Sequence, residues 1–536
     1  MSQDVPRVVR NDWSQLTVPD LGRWRPTLTV SVVIPAYNCQ QSLDLTLASL
    51  TAQTYPADLL EVVVVDDGSE PPLELPKIRP ENCRLIRVPD VSSDWGIANA
   101  TNIGVLHSSG QVIHRLDADM VVFPEHIEAL ARWQHQAPYI VSLGAKRFVD
   151  ITPAASAWPT PDEVAAAGED GRVEQLFDTA ATEPHGYIEK LIRETDQLRA
   201  GDHLIFRAHV GATVALRREL YDVAGGFDAR LRRGSDTEFG YRLAQAGAVF
   251  VPEPAARSWH LGRSTMMRQA QALQRYSRPF LADLMPHPRW LRKAGGSAWA
   301  VPLVTVVMHV DGQPLEMVRA GVDALLRSEE TDLRVLLVGP WETVREERRR
   351  LLDDPVLELR LIAATYRSDP RVRLVNRSPN SAFPSPYLLT LPVTAGLAPA
   401  AIRHLIETAD RHQAGLVRVP LHDRDGVSVE LWRTAALGRA RWVRGEGEPL
   451  ADVVAATHGS LTLSAADVGV VDLSQVPLNR LATGIRVVAG RNGRWMTGPV
   501  EVAGLRSLAR AAALVARLAV ERAWAWARRR LTGGRR

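Results

Sequence analysis

Two pairs of carboxylates stand where apolar runs stop. Asp66 and Asp67 follow Leu60–Val65 (LEVVVV), and Asp117 and Asp119, two residues apart, follow Val112–Leu116. In an extended segment residues i and i+2 point to the same side, so Asp117 and Asp119 are expected to aim at one point. Two carboxylates so placed can hold a divalent cation, and oxygen ligands favour Mg2+ or Mn2+. An isolated Asp-x-Asp is ordinary turn chemistry; this one interrupts an apolar strand. His260 is expected to close a strand running from Pro252 through Trp259, either as a packed histidine or as a ligand. Asp236 and Glu238 open a helical stretch after Gly234-Ser235, where carboxylates cap the helix and offset its dipole. Taken singly, none of these groups decides a chemistry.

The elements that must carry them follow an α/β rhythm. Leu28–Ala36 (LTVSVVIPA) reads as a strand buried on both faces, Ser42–Gln53 as a helix with Leu43, Leu47 and Leu50 on one side, and Leu60–Val65 as a second strand. Strand, helix and strand predict a right-handed βαβ unit in a parallel sheet, with ligands collecting at the strands' carboxyl ends. Tyr37-Asn38 and Asp66-Asp67 both fall there. The rhythm continues through strands at Arg84–Val88 and Val112–Leu116 and helices at Ile97–His107 and Pro124–Gln134. Helical stretches around Pro161–Ala167 and Gly186–Leu198 then form an insertion, 150–208, suited to a lid or an acceptor-binding segment. Strands at Ala212–Leu216 and Val249–Pro252 flank a helix at Asp236–Ala246.

The second half repeats the first. SVVI (Ser31–Ile34) matches TVVM (Thr305–Met308) at an offset of 274, and LEVVVV matches LRVLLV (Leu333–Val338) at 273. FPEHIEAL (Phe123–Leu130) matches APAAIRHL (Ala398–Leu405) at 275, and YRLAQAG (Tyr241–Gly247) matches VVAATHG (Val453–Gly459) at 212. The last offset is shorter because the second copy lacks the insertion. At these offsets Asp66 and Asp67 become Gly339 and Pro340, Asp117 and Asp119 become Pro392 and Thr394, and Tyr37 becomes Asp311. His260 becomes Asp472 and Asp236 becomes Glu448. The repeat keeps the frame and loses the chemistry.

Composition bounds the rest. The 536 residues are 46% hydrophobic and 23% charged, a globular balance that excludes disorder and collagen-like repeats. Two cysteines, Cys39 and Cys83, exclude a disulfide scaffold or a structural zinc site and suit a reducing cytoplasm. No secretory signal and no transmembrane helix are expected. Ala294–Val310 suits a buried strand, and Ser378–Ile402 carries five prolines. The net charge of +3 hides an asymmetry: beyond residue 500 nine arginines face only Glu501 and Glu521, so the remainder sums to −4. That argues against a nucleic-acid partner. From Val502 to Leu531 the spacing predicts a basic amphipathic helix, packed on its own domain or laid on a membrane surface.

Together the segments match a family. SVVIPAYN, VVVVDDGS, HRLDADM, GGFD, SDTEFGYRLAQAG and SWHLG occur in this order over about Ser31–Gly262. This resembles the inverting family 2 glycosyltransferases with a GT-A fold, enzymes that build bacterial polysaccharides from nucleotide sugars. The resemblance implies a Rossmann-like, mostly parallel α/β sheet flanked by helices, then a degenerate GT-A-like copy. The expected partition is a leader (1–27), a catalytic domain (28–263), a helical linker (264–297), the degenerate domain (298–480), and a short β segment with the C-terminal helix (481–536). It further implies that Pro35, Tyr37 and Asp67 bind the donor's uracil and ribose, with Asn38, Asp66 and Asn102 beside them. Asp117 would contact ribose or metal, and Asp119 and His260 would hold Mn2+ or Mg2+. Asp236 would be the catalytic base with Glu238 in support; the acidic residue that usually precedes the base is Ser235 here. The implied partners are a UDP-sugar and a glycan or lipid-linked acceptor, in a cytoplasmic protein that is free or peripheral at the inner face of the cell membrane. Two other classes stay open. A GT-A-like nucleotidyltransferase would need a Gly/Arg/Lys-rich phosphate loop where Ala36–Gln40 stand, and a non-catalytic carbohydrate-binding scaffold would fit if both halves were degenerate.

Overall fold

The computed structural model describes residues 5–150, 158–292, 298–421, 426–482, 485–489 and 495–499. The tail helix expected over 502–531 lies outside the described residues. Among the described residues, twenty-two strands form two large sheets and three small ones. The first large sheet is built from β1 (Val30–Ala36), β2 (Leu60–Asp66), β3 (Cys83–Arg87), β4 (Val112–Leu116), β6 (Ile140–Gly144), β9 (Thr213–Arg217) and β10 (Val249–Glu253). Its order is β3-β2-β1-β4-β9-β6-β10, and every pairing is parallel except the two made by β9. Every residue of β1 and β2 is buried, which is why both read as unbroken apolar runs. Val32 and Ile34 face one core with Leu43 and Leu47, while Val33 faces the other with Phe206, Val214 and Phe239.

A smaller sheet lies over the strand ends. It orders β5 (Met120–Val122), β11 (Ser258–Leu261), β7 (Arg147–Val149) and β8 (Thr182–Pro184) as β5-β11-β7-β8. This corrects the sequence reading at two places. The run Pro252–Trp259 is two strands in different sheets, β10 and β11, with Pro254–Arg257 turning between them. Likewise, Asp117–Asp119 is a turn rather than an extension of β4, because the chain must bend to pass from β4 into β5.

The second half repeats the large sheet strand for strand, while its small sheet keeps two strands and has no counterpart of β7 and β8 among the described residues. Its large sheet comprises β12 (Val304–His309), β13 (Leu333–Val338), β14 (Val372–Val375), β15 (Tyr387–Thr390), β17 (Leu416–Pro420), β18 (Ser428–Arg433) and β19 (Ser460–Thr462). The order β14-β13-β12-β15-β18-β17-β19 has the same sequence of parallel and antiparallel pairings, β18 standing for β9. β16 (Ala395–Leu397) pairs antiparallel with β20 (Val470–Asp472) as β5 pairs with β11. A hairpin, β21 (Ile485–Ala489) and β22 (Trp495–Pro499), completes the described chain.

The two copies are locked together. A Cβ on Gly438 would sit 2.5 Å from the carbonyl carbon of Ala246, and one on Gly247 only 2.2 Å from the Arg439 nitrogen, so two backbones touch here. Buried Arg439 donates to Gly247 O (2.6 Å), Val8 O (2.8 Å) and Ala248 O (3.1 Å). The segment before β1 is a strap. Asn11 donates to Phe250 O and accepts from its N–H, both at 2.8 Å, along β10 at the end of the first sheet. Between the copies, helix Thr265–Leu284 breaks its regular geometry at Gln269, and Arg292 then pairs with Asp332 at 2.7 Å.

Candidate active site

The carboxyl ends of β1, β2 and β4 lie side by side, and the chain turns sharply at each. After β1, whose Pro35 is buried, Tyr37 is 60% exposed. Asn38 takes a left-handed φ of 49°; its N–H donates to Ser69 Oγ at 2.9 Å and its Oδ1 accepts from Glu70 N at 3.0 Å. Asp66 is fully buried and accepts from Ser69 N (2.8 Å) and Leu73 N (3.1 Å), so both oxygens hold the turn. Asp67, half-buried, accepts from Gly96 N at 2.8 and 3.0 Å; burial pushes its carboxyl pKa up against that hydrogen bond. Asn102 lies deeper in the same region. Its Nδ2 donates to Phe227 O (2.8 Å), and its Oδ1 accepts from Phe227 N (2.9 Å) and the Tyr221 hydroxyl (2.5 Å). It ties helix Ile97–Leu106 to the Gly226-Phe227 turn.

Past β4 the acidic pair meets the distant histidine. β5 and β11 run antiparallel with Met120 opposite His260, and Leu261 N donates to Asp119 O at 2.8 Å. This register brings ligand atoms of Asp117, Asp119 and His260 within 4.8 Å of one another, with His260 Nε2 3.7 Å from Asp119 Oδ1. Among the described residues no other trio of His, Cys, Asp or Glu converges in this way. Asp119 Oδ1 is buried without a hydrogen-bond partner. Burial first, and the Asp117 charge second, push its pKa well above the usual carboxylate range. Burial also holds His260 down at about 4, which leaves it a neutral imidazole. A buried, unpartnered carboxylate oxygen beside a second carboxylate and a neutral imidazole is a donor set that fits a divalent cation.

Other groups complete the surroundings, and the sequence reading missed them. Arg115 pairs with Asp117 at 2.7 Å. Lys146, just past the end of β6, is held down at about 8 by burial, against the pull of Asp117 and Asp236. His185 comes from the insertion; its ring and that of His260 lie 5.5 and 4.8 Å from Phe148. Lys146 had a signal, since it follows a strand's carboxyl end. His185 had none.

Asp236 is the second residue of helix Ser235–Gln245. Its Oδ1 accepts from Thr237 N (2.9 Å), its Oδ2 lies 3.4 Å from Gly211 N, and its carbonyl accepts from His209 Nδ1 at 2.7 Å. A Cβ on Gly211 would come within 2.9 Å of Arg115 Nη1 and 3.4 Å of Asp236 Cβ, so this glycine lets Asp236 stand next to the Arg115–Asp117 pair. Glu238 faces elsewhere. Both its oxygens accept from Arg242, at 2.6 and 2.7 Å, in a buried pair.

In the second copy the strand registers put Asp472 at the place of His260 and Thr394 just before β16, where Asp119 precedes β5. Glu448, at the offset of Asp236, is bound by Arg7 at 2.5 and 2.8 Å.

Residues 31–207 match the family described as Glycosyl transferase family 2. The chain is similar to a chondroitin synthase of Escherichia coli, 25% identical over 368 residues, which cover 65% of this chain and 50% of that protein. It is also similar to a hyaluronan synthase of Pasteurella multocida, 25% identical over 387 residues covering 66% and 36%. A glycosyltransferase of Haemophilus influenzae is 32% identical over 118 residues, covering 22% and 36%. The chain thus spans half or less of the length of these relatives. The first unit, which carries the acidic strand ends, therefore contains over residues 31–207 a region that matches glycosyl transferase family 2.

Proposed function

We propose that residues 28–263 transfer a sugar from a nucleotide sugar, with UDP as the nucleotide, to a hydroxyl of a glycan or lipid-linked acceptor, inverting the anomeric carbon. The observation that carries this reading is the convergence of Asp117, Asp119 and His260 around a buried, unpartnered carboxylate oxygen. These three residues would hold Mn2+ or Mg2+, which when bound supplies positive charge to the leaving diphosphate. Exposed Tyr37 and the neighbouring Asp67 offer a face and an acceptor to the donor's base and ribose, with Pro35 beneath them. Asn38, Asp66 and Asn102 shape the loops around the donor through their hydrogen bonds. Asp236 takes the acceptor hydroxyl's proton, held in place by His209 and Thr237. One base and one displacement suffice for inversion, with no carboxylate nucleophile. The names of the two synthases support a polysaccharide product. Residues 298–480, without these groups, serve structure or acceptor binding, and 264–297 connect the two.

The test is hydrolysis and transfer with a panel of UDP-, GDP- and dTDP-sugars, in Mn2+ or in EDTA, for the wild type and Asp119→Ala. Turnover of a UDP-sugar that EDTA and Asp119→Ala both abolish is the expected result. Metal-dependent turnover surviving in Asp119→Ala would remove the metal assignment.

No helix among the described residues is long and apolar enough to cross a membrane. We further propose peripheral contact at the inner face of the cell membrane through residues 502–531. Arg506, Arg510, Arg517, Glu521 and Arg528 recur in the sequence at spacings of 4, 7, 4 and 7, which in a helix would place them on one stripe with Leu505, Leu508, Val515 and Leu518 beside it. Each arginine near anionic lipid contributes about 1 kcal/mol. Full-length protein should co-sediment with anionic liposomes more than a chain ending at Gly504; equal sedimentation would rule the contact out.

A further inference from the structure

Lys146 is a cation without a partner beside the acidic cluster. It stands just before β7. Ala145 already runs along the turn into β11, its N–H donating to Ala256 O (2.9 Å) and its carbonyl accepting from Ser258 Oγ (2.8 Å). Alternation along this extended segment puts the Lys146 side chain on the face of Phe148, whose ring lies 4.8 Å from that of His260. There it feels the charges of Asp117 and Asp236, with Arg115 and His185 also near. Its neighbours are engaged elsewhere. Arg115 pairs with Asp117 (2.7 Å), and Arg147 donates to Thr182 Oγ1 (2.6 Å) and Thr182 O (3.0 Å). Lys146 is half-buried and makes no hydrogen bond or ion pair among the described residues; its Nζ, unlike Arg115 Nη1, keeps surface open to water. Arg268 also acts on Asp119, but from an exposed position on helix Thr265–Leu284.

An unbonded ammonium offers three donors and a full charge to an anion. Asp117 already has Arg115, so the lysine is not needed to neutralise it. A half-buried charge without a hydrogen bond is costly, and an anionic ligand would remove that cost. The anion that the site must hold lies between the same two carboxylates. The diphosphate of a nucleotide sugar belongs beside Asp117 and the acceptor hydroxyl beside Asp236, so the bond that breaks runs past Lys146. The anomeric C–O bond leaves its electron pair on the β-phosphate oxygen. The acceptor oxygen bonds to the anomeric carbon, and its proton passes to Asp236. Lysine suits such an oxygen as a compact point charge. We infer that Lys146 binds the donor's β-phosphate and meets the charge that grows there during transfer, keeping its own proton, an assignment that rests on the function proposed above.

The experiment is calorimetry on the full chain with UMP, UDP, UDP-glucose and UDP-glucuronic acid, all in Mn2+. Lys146→Met, Lys146→Gln and Lys146→Arg are compared with the wild type after thermal unfolding confirms each fold. UMP keeps the base, ribose and α-phosphate and lacks the β-phosphate. Wild type should bind UDP more tightly than UMP, and Lys146→Met should weaken UDP about tenfold or more while leaving UMP unchanged. Lys146→Arg should restore part of the loss, and Mn2+ titrated alone should bind Lys146→Met no more weakly than wild type. If Lys146→Met does not fold, Lys146→Gln carries the test. UDP affinity unchanged in the variants, UMP and UDP weakened alike, or weaker binding of Mn2+ alone would overturn the inference and leave the proposed donor standing. A loss confined to UDP-glucuronic acid would move the lysine to a sugar carboxylate and overturn it likewise. Failure of the wild type to bind any of the four ligands would overturn the donor reading itself, and this inference with it.

Discussion

Asp236 and Glu238 stand two residues apart at the start of one helix, and their surroundings give them different tasks. Glu238 is 3% exposed and forked onto Arg242, whose guanidinium also reaches Ala224 O; an anion held this way is poorly placed to take a proton. Asp236 keeps one oxygen with only a long contact to Gly211 N, on the side of Arg115 and Lys146. Asp236→Asn should therefore lower kcat about 10²–10⁴-fold with donor KM nearly unchanged. Glu238→Gln should lose about 3 kcal/mol of stability by leaving Arg242 without its buried partner, while the folded fraction keeps near-wild-type turnover. Steady-state kinetics and urea unfolding of the two variants separate these effects. The reverse pattern would move the base to Glu238, a position that the Ser235 departure makes worth testing.

At the scale of elements, what the sequence made legible was whatever repeats or stays buried over several residues. β1 and β2 are buried throughout, so their apolar runs announced them, and the offsets of 274 and 273 reappear as registers, Val30 opposite Leu60 and Val304 opposite Leu333. The three- and four-residue strands β5 and β11 are too short to show a period, so the split of Pro252–Trp259 and the turn at Asp117–Asp119 were hidden. Asn102 and Glu238 could not be told from free polar groups, because their partners Phe227 and Arg242 are set by packing. Glu61, a lone acid inside LEVVVV, shows how such a group can stitch elements together. It accepts from Ser31 Oγ (2.5 Å), Ser109 N (2.6 Å), Gly110 N (3.1 Å) and Arg84 (2.8 Å). Burial alone would raise its pKa, but these bonds outweigh it and hold the group at about 2, below the ordinary 4.5. A depressed folded pKa stabilises fully above 4.5 and is lost as the pH falls towards about 2. Urea midpoints should therefore show wild type well above Glu61→Gln near neutrality, with the gap closing across that acid window. A gap independent of pH would mean that Glu61 acts through packing alone.

On the scale of the whole molecule, two large sheets of the same topology share a core. Tyr139, Ile140, Val249 and Val251 of the first copy form one buried cluster with Val307, Leu388, Leu416 and Trp432 of the second, with Val8 of the strap among them. At its edge Arg439 gathers carbonyls from both the first copy and the strap, its ring-facing side 4.5 Å from the centre of Tyr139. Burial pushes its pKa down only to about 10, so it stays charged at neutral pH and each of those bonds is charge-assisted. Arg439→Met keeps much of the side-chain volume but leaves Gly247 O, Val8 O and Ala248 O without that donor. Unmet buried acceptors cost about 1–3 kcal/mol each, so a loss of about 3 kcal/mol or more is expected. Because the donor bridges copies, the loss should appear as separation of the two units. Wild type should unfold in one calorimetric transition, while Arg439→Met should show a second, earlier one. A single transition at the wild-type midpoint in Arg439→Met would mean that the shared apolar cluster alone holds the copies together.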